Sequence, residues 1–503
     1  MAENELERGA GVLCHISSLP NEYGIGSLGK EAYDFVDLLK RAGVKYWQIL
    51  PLQQTGFGDS PYQSVCCTSG NPYFIDIVAL KKQGLLDEEE LESAKMPSGD
   101  VDYAELYERR FALLRRAYAR FNIRDQQFID FIESGEFEDY ALFMSLKARY
   151  GGTFNRFPDA YKYNEHLAVY EFRNAVYRSE YCFWLFLQYE FKQQWAKLKK
   201  YANDNGVLII GDIPLYVAYD SADIWARPEL FQLDEDLKPT KVAGVPPDYF
   251  SKHGQLWGNP LYNWDAVRAE NYDWWINRIA KAKEMYDVIR IDHFRGFDKY
   301  YAIPAGSHNA VNGEWEKGPG KEFFDEVERR LGKTQIIAED LGVLEDSVLK
   351  LRDDCGFPGM NILMFAFDGD PENDYLPANI KENSVTYTGT HDNDTALGFL
   401  DGMTDEQFKK FKKQLRASVR EMDEKAYRPI VDRVDAAEAL AVCALFTKSK
   451  IAILPVQDVV RFDNAARMNV PATSVGNWKF RLEKMPGRRA MAELKNLIKA
   501  TER

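Results

Sequence analysis

Residues 207–214 have the sequence VLIIGDIP, an apolar run of strand length that ends in a carboxylate and a proline. Seven further runs are equally short and rich in Val, Ile and Leu, as expected of strands buried on both faces of a parallel sheet. They are GVLCHIS (11–17), YWQILPL (46–52), VIRIDHF (288–294), IIAEDL (336–341), NILMFAF (361–367), SVTYTGT (384–390) and IAILPVQ (451–457). Eight such strands separated by helical patterns predict an α/β fold, the (β/α)8 TIM barrel.

The helical patterns between these runs are amphipathic. In the segment 31–42, EAYDFVDLLKRA, apolar side chains fall on one side, and the pattern ends before Gly43, as at a helix terminus. The apolar residues of this face are Tyr33, Phe35, Val36, Leu38 and Leu39. Similar patterns cover 87–95, 101–121, 183–203, 267–286, 321–332, 405–448 and 490–500.

Two connections are far longer than the ~2–6 residues of a simple βα loop. The connection 53–182 carries acidic amphipathic helices and predicts a largely helical inserted subdomain, whereas 215–266 is rich in Trp, Tyr, Pro and Gly. Both follow the carboxyl end of a strand, the face on which barrel enzymes carry their active sites. We therefore expect 1–503 to be a single catalytic barrel domain, with both insertions on the active-site face and no C-terminal β-sandwich domain.

The net charge of the chain argues against some classes of binding partner. The chain has 64 Lys and Arg residues against 78 Asp and Glu residues, a formal net charge of −14. Nucleic acids and anionic membrane surfaces attract a basic footprint, so we expect neither as a partner. Aromatic residues make up 14% of the chain; we expect most of them in the core and the rest in a groove suited to sugars.

The cysteines and the N-terminal residues indicate the expected cellular compartment and whether a metal or cofactor is expected. The 6 cysteines form no C-x-x-C pair and no zinc-like spacing,. The first residues, MAENELERGAG, lack an apolar signal-peptide region, and no run approaches the ~18 apolar residues of a membrane span,. The expected location is a reducing cytoplasm, and no metal or other cofactor is expected.

Carboxylates follow the proposed strands at their carboxyl ends. Asp212, Asp292 and Glu339 end the third, fourth and fifth strands, Asp392 follows the seventh, and Asp458 closes the eighth. In a barrel these ends converge on one opening. A buried carboxylate is costly unless it is paired or functional, and several close together raise one another's pKa and favour acid–base chemistry.

Paired carboxylates beside aromatic residues are typical of glycoside chemistry. One carboxylate attacks or stabilises the anomeric carbon, and another, kept protonated by a raised pKa, donates to the leaving oxygen. Arg290 precedes Asp292 by two positions, so both lie on one strand face, where the guanidinium can hold the carboxylate ionised. His391 adjoins Asp392 and is suited to donate to a sugar hydroxyl.

Metal catalysis is the competing hypothesis from the residues. The pairs Asp292–His293, Glu339–Asp340 and His391–Asp392 contain possible metal ligands,. Neighbouring residues on a strand point to opposite faces, so His293 is not expected beside Asp292. His15 stands alone as the histidine of the first strand. The pattern favours carbohydrate chemistry over a metal site.

Six stretches in chain order resemble those of the amylomaltases, the 4-α-glucanotransferases or disproportionating enzymes of glycoside hydrolase family 77 in the α-amylase superfamily. They are HISSLP (15–20), GFGDSPYQ (56–63), GDIPLYV (211–217), IRIDHFRGF (289–297), AEDLG (338–342) and THDNDT (390–395). The resemblance extends over nearly the whole chain and keeps all of the carboxylates that carry the chemistry. It implies a (β/α)8 barrel with inserted subdomains and no separate C-terminal domain, in which the insertion 215–266 folds over the active-site cleft.

The resemblance also implies roles for individual residues. Asp292 would be the nucleophile that forms a β-glucosyl-enzyme intermediate, and Glu339 would be the general acid and then the base. Asp392 would bind sugar hydroxyls and favour the distorted transition state. The residues implied in substrate binding are Tyr62, as a stacking platform, with Ser60, Asp212, Asp248, Gln255, Trp257, Arg290 and His391.

The activity implied is transfer of an α-1,4-glucan segment to the 4-hydroxyl of glucose or another glucan, with retention and without a cofactor. Malto-oligosaccharides, starch- or glycogen-derived glucans and glucose are the implied partners, and the protein would be a monomer or weak homo-oligomer. Two alternatives stay open from the sequence. One is an α-1,4-glucan hydrolase of the α-amylase type, and the other is a non-catalytic glucan-binding barrel.

Overall fold

The computed structural model describes residues 6–56, 58–174, 178–247, 251–342, 344–422, 429–473 and 475–503. The strands within these ranges form one eight-stranded sheet and one four-stranded sheet. They are β1 (Gly9–Leu13), β2 (Tyr46–Gln48), β3 (Leu208–Ile213), β4 (Lys241–Val245), β5 (Gln255–Pro260), β6 (Val288–Ile291), β7 (Lys299–Pro304), β8 (Glu314–Lys317), β9 (Ile336–Ala338), β10 (Gly359–Ile362), β11 (Ser384–Tyr387) and β12 (Ile451–Pro455).

The larger sheet is a parallel barrel with the order β10-β11-β12-β1-β2-β3-β6-β9. Between β9 and β10 the backbone N–H of Ala338 donates to the carbonyl of Pro358 at 3.0 Å. Each of the eight predicted runs overlaps one barrel strand, so the predicted (β/α)8 fold is confirmed. Several predicted runs extend past the end of their strand. For two of them the reason is the 3-10 turn that follows β1 or β10, at Ile16–Ser18 and Leu363–Phe365.

Helices surround the barrel and fill its long connections. They are α1 (Lys30–Ala42), α2 (Ile77–Lys82), α3 (Glu88–Ser93), α4 (Tyr103–Arg120), α5 (Gln126–Glu133), α6 (Glu138–Tyr150), α7 (Asp159–Lys162), α8 (His166–Asn174), α9 (Arg178–Asp204), α10 (Ala222–Ala226), α11 (Trp264–Ala269), α12 (Asp273–Met285), α13 (Lys321–Leu331), α14 (Asp346–Asp354), α15 (Ala396–Asp401), α16 (Asp405–Met422), α17 (Arg433–Phe446), α18 (Val456–Val460) and α19 (Arg488–Ala500).

In helix α1 the amphipathic pattern of the sequence places apolar side chains against the barrel. Phe35, Val36 and Leu39 of its apolar face are buried, and the Phe35 ring meets the buried Trp47 ring edge-on at 5.1 Å. Gly43 ends the helix with φ 80°, a left-handed conformation that glycine adopts without a steric penalty. The first barrel helix is thereby fixed against β2.

The connection between β2 and β3 is helical in the described residues, from α2 to α9. The connection after β3 contains α10, β4 and β5 before it leads into α11. The second sheet is antiparallel with the order β5-β4-β7-β8, so it joins residues 241–260 to residues 299–317. The sequence analysis did not predict this sheet, and its division of the chain into inserted subdomains stays a prediction.

In the C-terminal part of the barrel, the structure divides one predicted helical segment into two helices. The pattern at 405–448 contains two helices, α16 and α17, and an Asp432 capping box begins the second. After β12 the described residues, 456–473 and 475–503, contain α18, α19 and loops with no strand. No helix among the described residues of the chain is long and apolar enough to cross a membrane.

Candidate active site

The predicted carboxylates lie at the carboxyl ends of the barrel strands. Asp212 is within β3, Asp292 directly follows β6, Glu339 directly follows β9, and Asp392 lies in the loop after β11. In a parallel barrel these ends open on one face. Electrostatic interactions connect these groups. The negative charge of Asp292 raises the pKa of both Asp212 and Glu339, and the charge of Asp392 raises the pKa of Asp292.

Arg290 joins two of these carboxylates. Its guanidinium donates to Asp212 Oδ2 at 2.5 Å and lies 3.0 Å from Asp292 Oδ1. The Tyr62 hydroxyl donates to the same Asp212 oxygen at 2.8 Å. Burial raises the pKa of Asp212 to about 7 against the opposing effect of Arg290,. Asp212 therefore orients Arg290, and Arg290 in turn fixes the Asp292 carboxylate.

Glu339 has a different environment from Asp292. Its oxygens accept the backbone N–H groups of His293 at 2.6 Å and Leu341 at 3.1 Å. Burial, assisted by the negative charge of Asp292, raises the pKa of Glu339 to about 7, and Arg290 opposes that shift. A carboxyl group with such a pKa is available in both protonation states near neutrality, as an acid–base residue requires.

A ring stack lies between Tyr62 and the Asp392 loop. The rings of Tyr62 and His391 are stacked, with centroids 5.2 Å apart and an interplanar angle of 13°. His391 Nε2 lies 3.4 Å from Asp392 Oδ1, and burial lowers the pKa of His391. A neutral imidazole, a half-exposed carboxylate and an aromatic ring are groups of the kind that can hydrogen-bond to and stack on a sugar ring.

Comparison with known proteins agrees with this chemistry. Residues 14–486 match the model of a glycoside hydrolase family, family 77, described as 4-alpha-glucanotransferase. The chain belongs to this family. The predicted resemblance is therefore confirmed, together with the glycan-transfer activity that defines the family, and the hydrolase alternative is disfavoured.

Individual relatives cover the whole length of the barrel. The chain is 44% identical over 516 residues to a 4-alpha-glucanotransferase of Thermus thermophilus, covering 99% of this chain and 100% of the relative. It is 42% identical over 476 residues to one from Clostridium butyricum, covering 93% and 95%. The solved amylomaltase from Streptococcus agalactiae, in complex with acarbose, has a TM-score of 0.93 and 38% identity, covering 99% and 100%.

The remaining predicted binding residues lie on two segments at this face. Ser60 Oγ accepts the backbone N–H of Tyr62 at 3.2 Å and so supports the loop that carries Tyr62. Gln255 and Trp257 are half-buried on β5, and the Trp257 indole N–H donates to Gln255 Oε1 at 3.1 Å. Asp248 lies outside the described residues.

The histidine after Asp292 faces aromatic side chains. The His293 ring meets the Trp257 ring edge-on at 4.8 Å and lies 6.3 Å from Tyr216. Strand β6 ends at Ile291, and His293 has a left-handed backbone with φ 51°, so a turn and not the strand alternation used in the prediction directs its ring to these aromatic side chains. Among the described residues, no group of three or more His, Cys, Asp and Glu side chains has an arrangement that could hold a metal ion.

Two other strand-end carboxylates have structural partners. Asp458 accepts the Thr388 hydroxyl at 2.5 Å and the backbone N–H of Ala396 at 2.7 Å, which ties the start of α15 to α18. Asp340 pairs with Arg352 at 2.5 Å. These contacts separate Asp458 and Asp340 from the ion-paired group around Arg290.

The loop after β12 supplies residues that the sequence analysis missed. Asn469 Nδ2 donates to Asp392 Oδ1 at 2.6 Å, and Arg467 donates to the Asp392 carbonyl at 2.8 Å. The Trp478 ring lies 5.7 Å from Tyr62. The sequence feature that could have identified them is an amide and an indole side chain in the loop after the eighth strand. Such loops lie on the face of a barrel that carries the functional residues.

Replacement of Asn469 by Ala is expected to lower kcat/KM for glucan transfer about 10- to 100-fold, because a hydrogen bond to a charged group is worth about 1.5–3 kcal/mol. Without the amide, Asp392 loses a partner that orients it. Steady-state kinetics with maltotriose measure the effect. Asn383→Ala, which removes an exposed amide that donates to the Gly356 carbonyl at 3.2 Å before β11, is the matched control; equal losses in both variants would exclude a specific role for Asn469.

Proposed function

We propose that the chain transfers a segment of an α-1,4-glucan to the 4-hydroxyl of glucose or of another α-1,4-glucan by a retaining double displacement. The observation that carries the proposal is the difference in the contacts of two carboxyl groups, because Asp292 pairs with the Arg290 guanidinium and Glu339 accepts backbone N–H groups. Asp292 lies 3.0 Å from Arg290, whereas the pKa of Glu339 is raised to about 7 by burial and by Asp292. Such a contrast assigns the nucleophile and the acid.

In the first displacement Asp292 attacks the anomeric carbon while Glu339 protonates the glycosidic oxygen. A bond forms between Asp292 and C1, the bond from C1 to the leaving oxygen breaks, and the reducing-end fragment departs. Burial raises the pKa of Asp292, and the Arg290 guanidinium opposes this. Arg290 also restricts the orientation of the attacking carboxylate, which lowers the entropic cost of reaching the reactive geometry.

Formation of the intermediate changes the electrostatics of Glu339. The esterified Asp292 carries no charge, so its contribution to the raised pKa of Glu339 disappears,. Glu339 then holds its proton less tightly and is suited to accept one from the acceptor 4-hydroxyl. The acceptor oxygen attacks C1, the ester to Asp292 breaks, and the second inversion restores the original anomeric configuration.

Transfer in place of hydrolysis requires that an acceptor sugar outcompete water. Trp257 supports this role, because its ring contacts His293, whose backbone N–H binds Glu339. A sugar stacked on Trp257 would therefore lie next to the general base. We propose that the aromatic-rich segment 215–266 covers the cleft, as an inserted subdomain, and excludes water during the lifetime of the intermediate.

The test is incubation of the purified protein with maltotriose, followed by separation of the products. Transfer produces glucose together with maltopentaose and longer chains, since one donor loses its segment to another molecule. Maltose and glucose alone would support the hydrolase alternative. Unchanged maltotriose would contradict both enzymatic hypotheses.

The rate of transfer is expected to fall as pH rises through about 7. Glu339 must be protonated for the first displacement, and the pKa of its carboxyl group is about 7, so kcat/KM should lose about tenfold per unit at higher pH. Because Asp212 has a similar pKa, the observed value belongs to the interacting group. The measurement is a profile of kcat/KM against pH with maltotriose.

α-Maltosyl fluoride is the control donor for this profile, because fluoride departs without a proton from Glu339. Its first displacement should show a much weaker decline above pH 7. A maltotriose profile that stays flat to about pH 9 would be incompatible with Glu339 as the general acid at this pKa.

Several finer assignments accompany the proposal. Malto-oligosaccharides and starch- or glycogen-derived glucans are the proposed donors, with glucose as an acceptor. We also propose a cytoplasmic location and a monomer or weak homo-oligomer. Size-exclusion chromatography with light scattering tests the oligomeric state; a stable large assembly would contradict it.

A further inference from the structure

The imidazole of His391 has one nitrogen whose contacts remain to be explained. Its Nε2 lies beside Asp392 at 3.4 Å, but its Nδ1 is buried and has no hydrogen-bond partner among the described residues. Burial lowers the pKa of His391, so the ring is neutral and one of its nitrogens carries the proton. A buried polar atom normally has a hydrogen-bond partner, so Nδ1 is an exception among the polar atoms of this site.

A second buried histidine lies nearby at the end of β1. His15 Nδ1 accepts the backbone N–H of Leu50 at 3.2 Å. The Phe74 ring packs against it edge-on, with centroids 5.3 Å apart at 80°, and this contact restricts its orientation. Burial lowers the pKa of His15 to about 3, so the ring is neutral. Because Nδ1 accepts a hydrogen bond, the ring proton resides on Nε2, which is a donor.

One cavity connects the two histidines. His15 and His391 both line it, and its volume is about 20 Å³, which is enough for a single water molecule. Asn393, Gln457 and Arg467 also line this cavity, so its wall is polar enough to retain water. The cavity is thus lined by both rings, one with a donor at Nε2 and the other with an unpartnered nitrogen at Nδ1.

We propose that His15 is a positioning residue that fixes the tautomer of His391 through one bridging water. His15 Nε2–H donates to the water, and the water donates to His391 Nδ1. With Nδ1 as an acceptor, the proton of His391 is confined to Nε2, beside Asp392. His391 then presents a donor to the Asp392 carboxylate and to a sugar hydroxyl that binds there.

This proposal rests on the proposed function for its kinetic consequence, although the tautomer itself does not depend on turnover. The charged groups that act on His391 are Asp392, Asp292 and Arg290, and His391 itself acts on His15. The two carboxylates favour a protonated His391, whereas Arg290 disfavours it. A hydrogen bond donated to Nδ1 by the water further favours the neutral form of the His391 ring.

Two variants of His15 separate the two hydrogen bonds. His15→Asn keeps an acceptor close to the position of Nδ1, for Leu50, and lacks the donor at the position of Nε2. His15→Gln has an amide donor near the position of Nε2 and lacks the short acceptor. We expect His15→Asn to lower kcat/KM for maltotriose about tenfold, the order of one neutral hydrogen bond, and His15→Gln to retain most of the activity.

The pKa of His391 gives a readout that loss of stability alone would not change. In His15→Asn the Nδ1 of His391 accepts a proton more readily, so a nitrogen-15 NMR titration should show a higher pKa for His391 than in the parent protein. His15→Gln should keep the pKa of the parent protein. Thermal unfolding of both variants shows whether the fold is retained.

Nitrogen-15 NMR of histidine-labelled protein tests the tautomer directly, with a His391→Gln sample to assign its signals among the 6 histidines. We expect a pure Nε2–H tautomer in the parent and in His15→Gln, and a mixed or protonated ring in His15→Asn. An unchanged tautomer in His15→Asn, or equal changes in both His15 variants, overturns the proposal. An inactive parent with the expected tautomers would instead contradict the proposed function alone.

Discussion

Replacement of Glu339 by Gln is expected to lower kcat for maltotriose about 10²- to 10⁴-fold, the usual contribution of a general acid–base residue. Gln keeps the size of the side chain and can still accept a backbone N–H group, such as that of His293. It cannot protonate the leaving oxygen or deprotonate the acceptor. Steady-state kinetics with maltotriose check the loss, and circular dichroism and thermal unfolding confirm that the fold is retained.

A donor that needs no protonation isolates the acid role in this variant. With α-maltosyl fluoride, Glu339→Gln should still release fluoride in the first displacement, followed by slow turnover because the base is missing. Glu345→Gln is the matched control, since Glu345 pairs with Lys299 at 2.5 Å. Wild-type maltotriose kinetics in Glu339→Gln, or an equal loss in Glu345→Gln, would contradict the assignment.

Replacement of Asp292 by Ala is expected to abolish transfer, with a loss of about 10⁴-fold or more in kcat, as when the nucleophile of a covalent mechanism is removed. The change also leaves Arg290 with Asp212 as its remaining carboxylate contact in the described site. Kinetics with maltotriose and with α-maltosyl fluoride should both show the loss, because neither donor can form the intermediate.

Azide discriminates the nucleophile role from a general loss of structure. In Asp292→Ala, azide can enter the space of the carboxylate and attack C1, which gives a β-glycosyl azide from α-maltosyl fluoride. Asp298→Ala is the control, because Asp298 accepts the Ser347 hydroxyl at 2.7 Å outside the ion-paired group. Formation of an α-glycosyl azide in Asp292→Ala, or full activity without azide, would show that another residue is the nucleophile.

The barrel was predictable from the sequence because its strands are buried on both faces and therefore form continuous apolar runs. VLIIGDIP at 207–214 contains β3, and the alternation of such runs with helices identifies the topology. The small sheet was not predictable in this way. Its strand β5, QLWGNP, lies partly exposed with a glycine and a proline, residues that weaken a strand pattern.

Parts of the site followed from local spacing, and other parts depend on long-range contacts. Arg290 and Asp292 share a strand face at i and i+2, so their proximity could be inferred. Asn469 meets Asp392 across 77 positions of the chain, and no local periodicity relates the two residues. The contact exists because the loops after β11 and β12, neighbouring strands in the barrel, meet at its carboxyl end.

The most direct test of the proposed mechanism is to identify the residue that bears the glycosyl group. Glu339→Gln is mixed with α-maltotriosyl fluoride, quenched rapidly in acid, digested and analysed by peptide mass spectrometry. We predict one modified peptide, with a maltotriosyl group on Asp292. Fluoride release without a modified peptide, or a maltotriosyl group on any other residue, would contradict transfer through a covalent intermediate at Asp292.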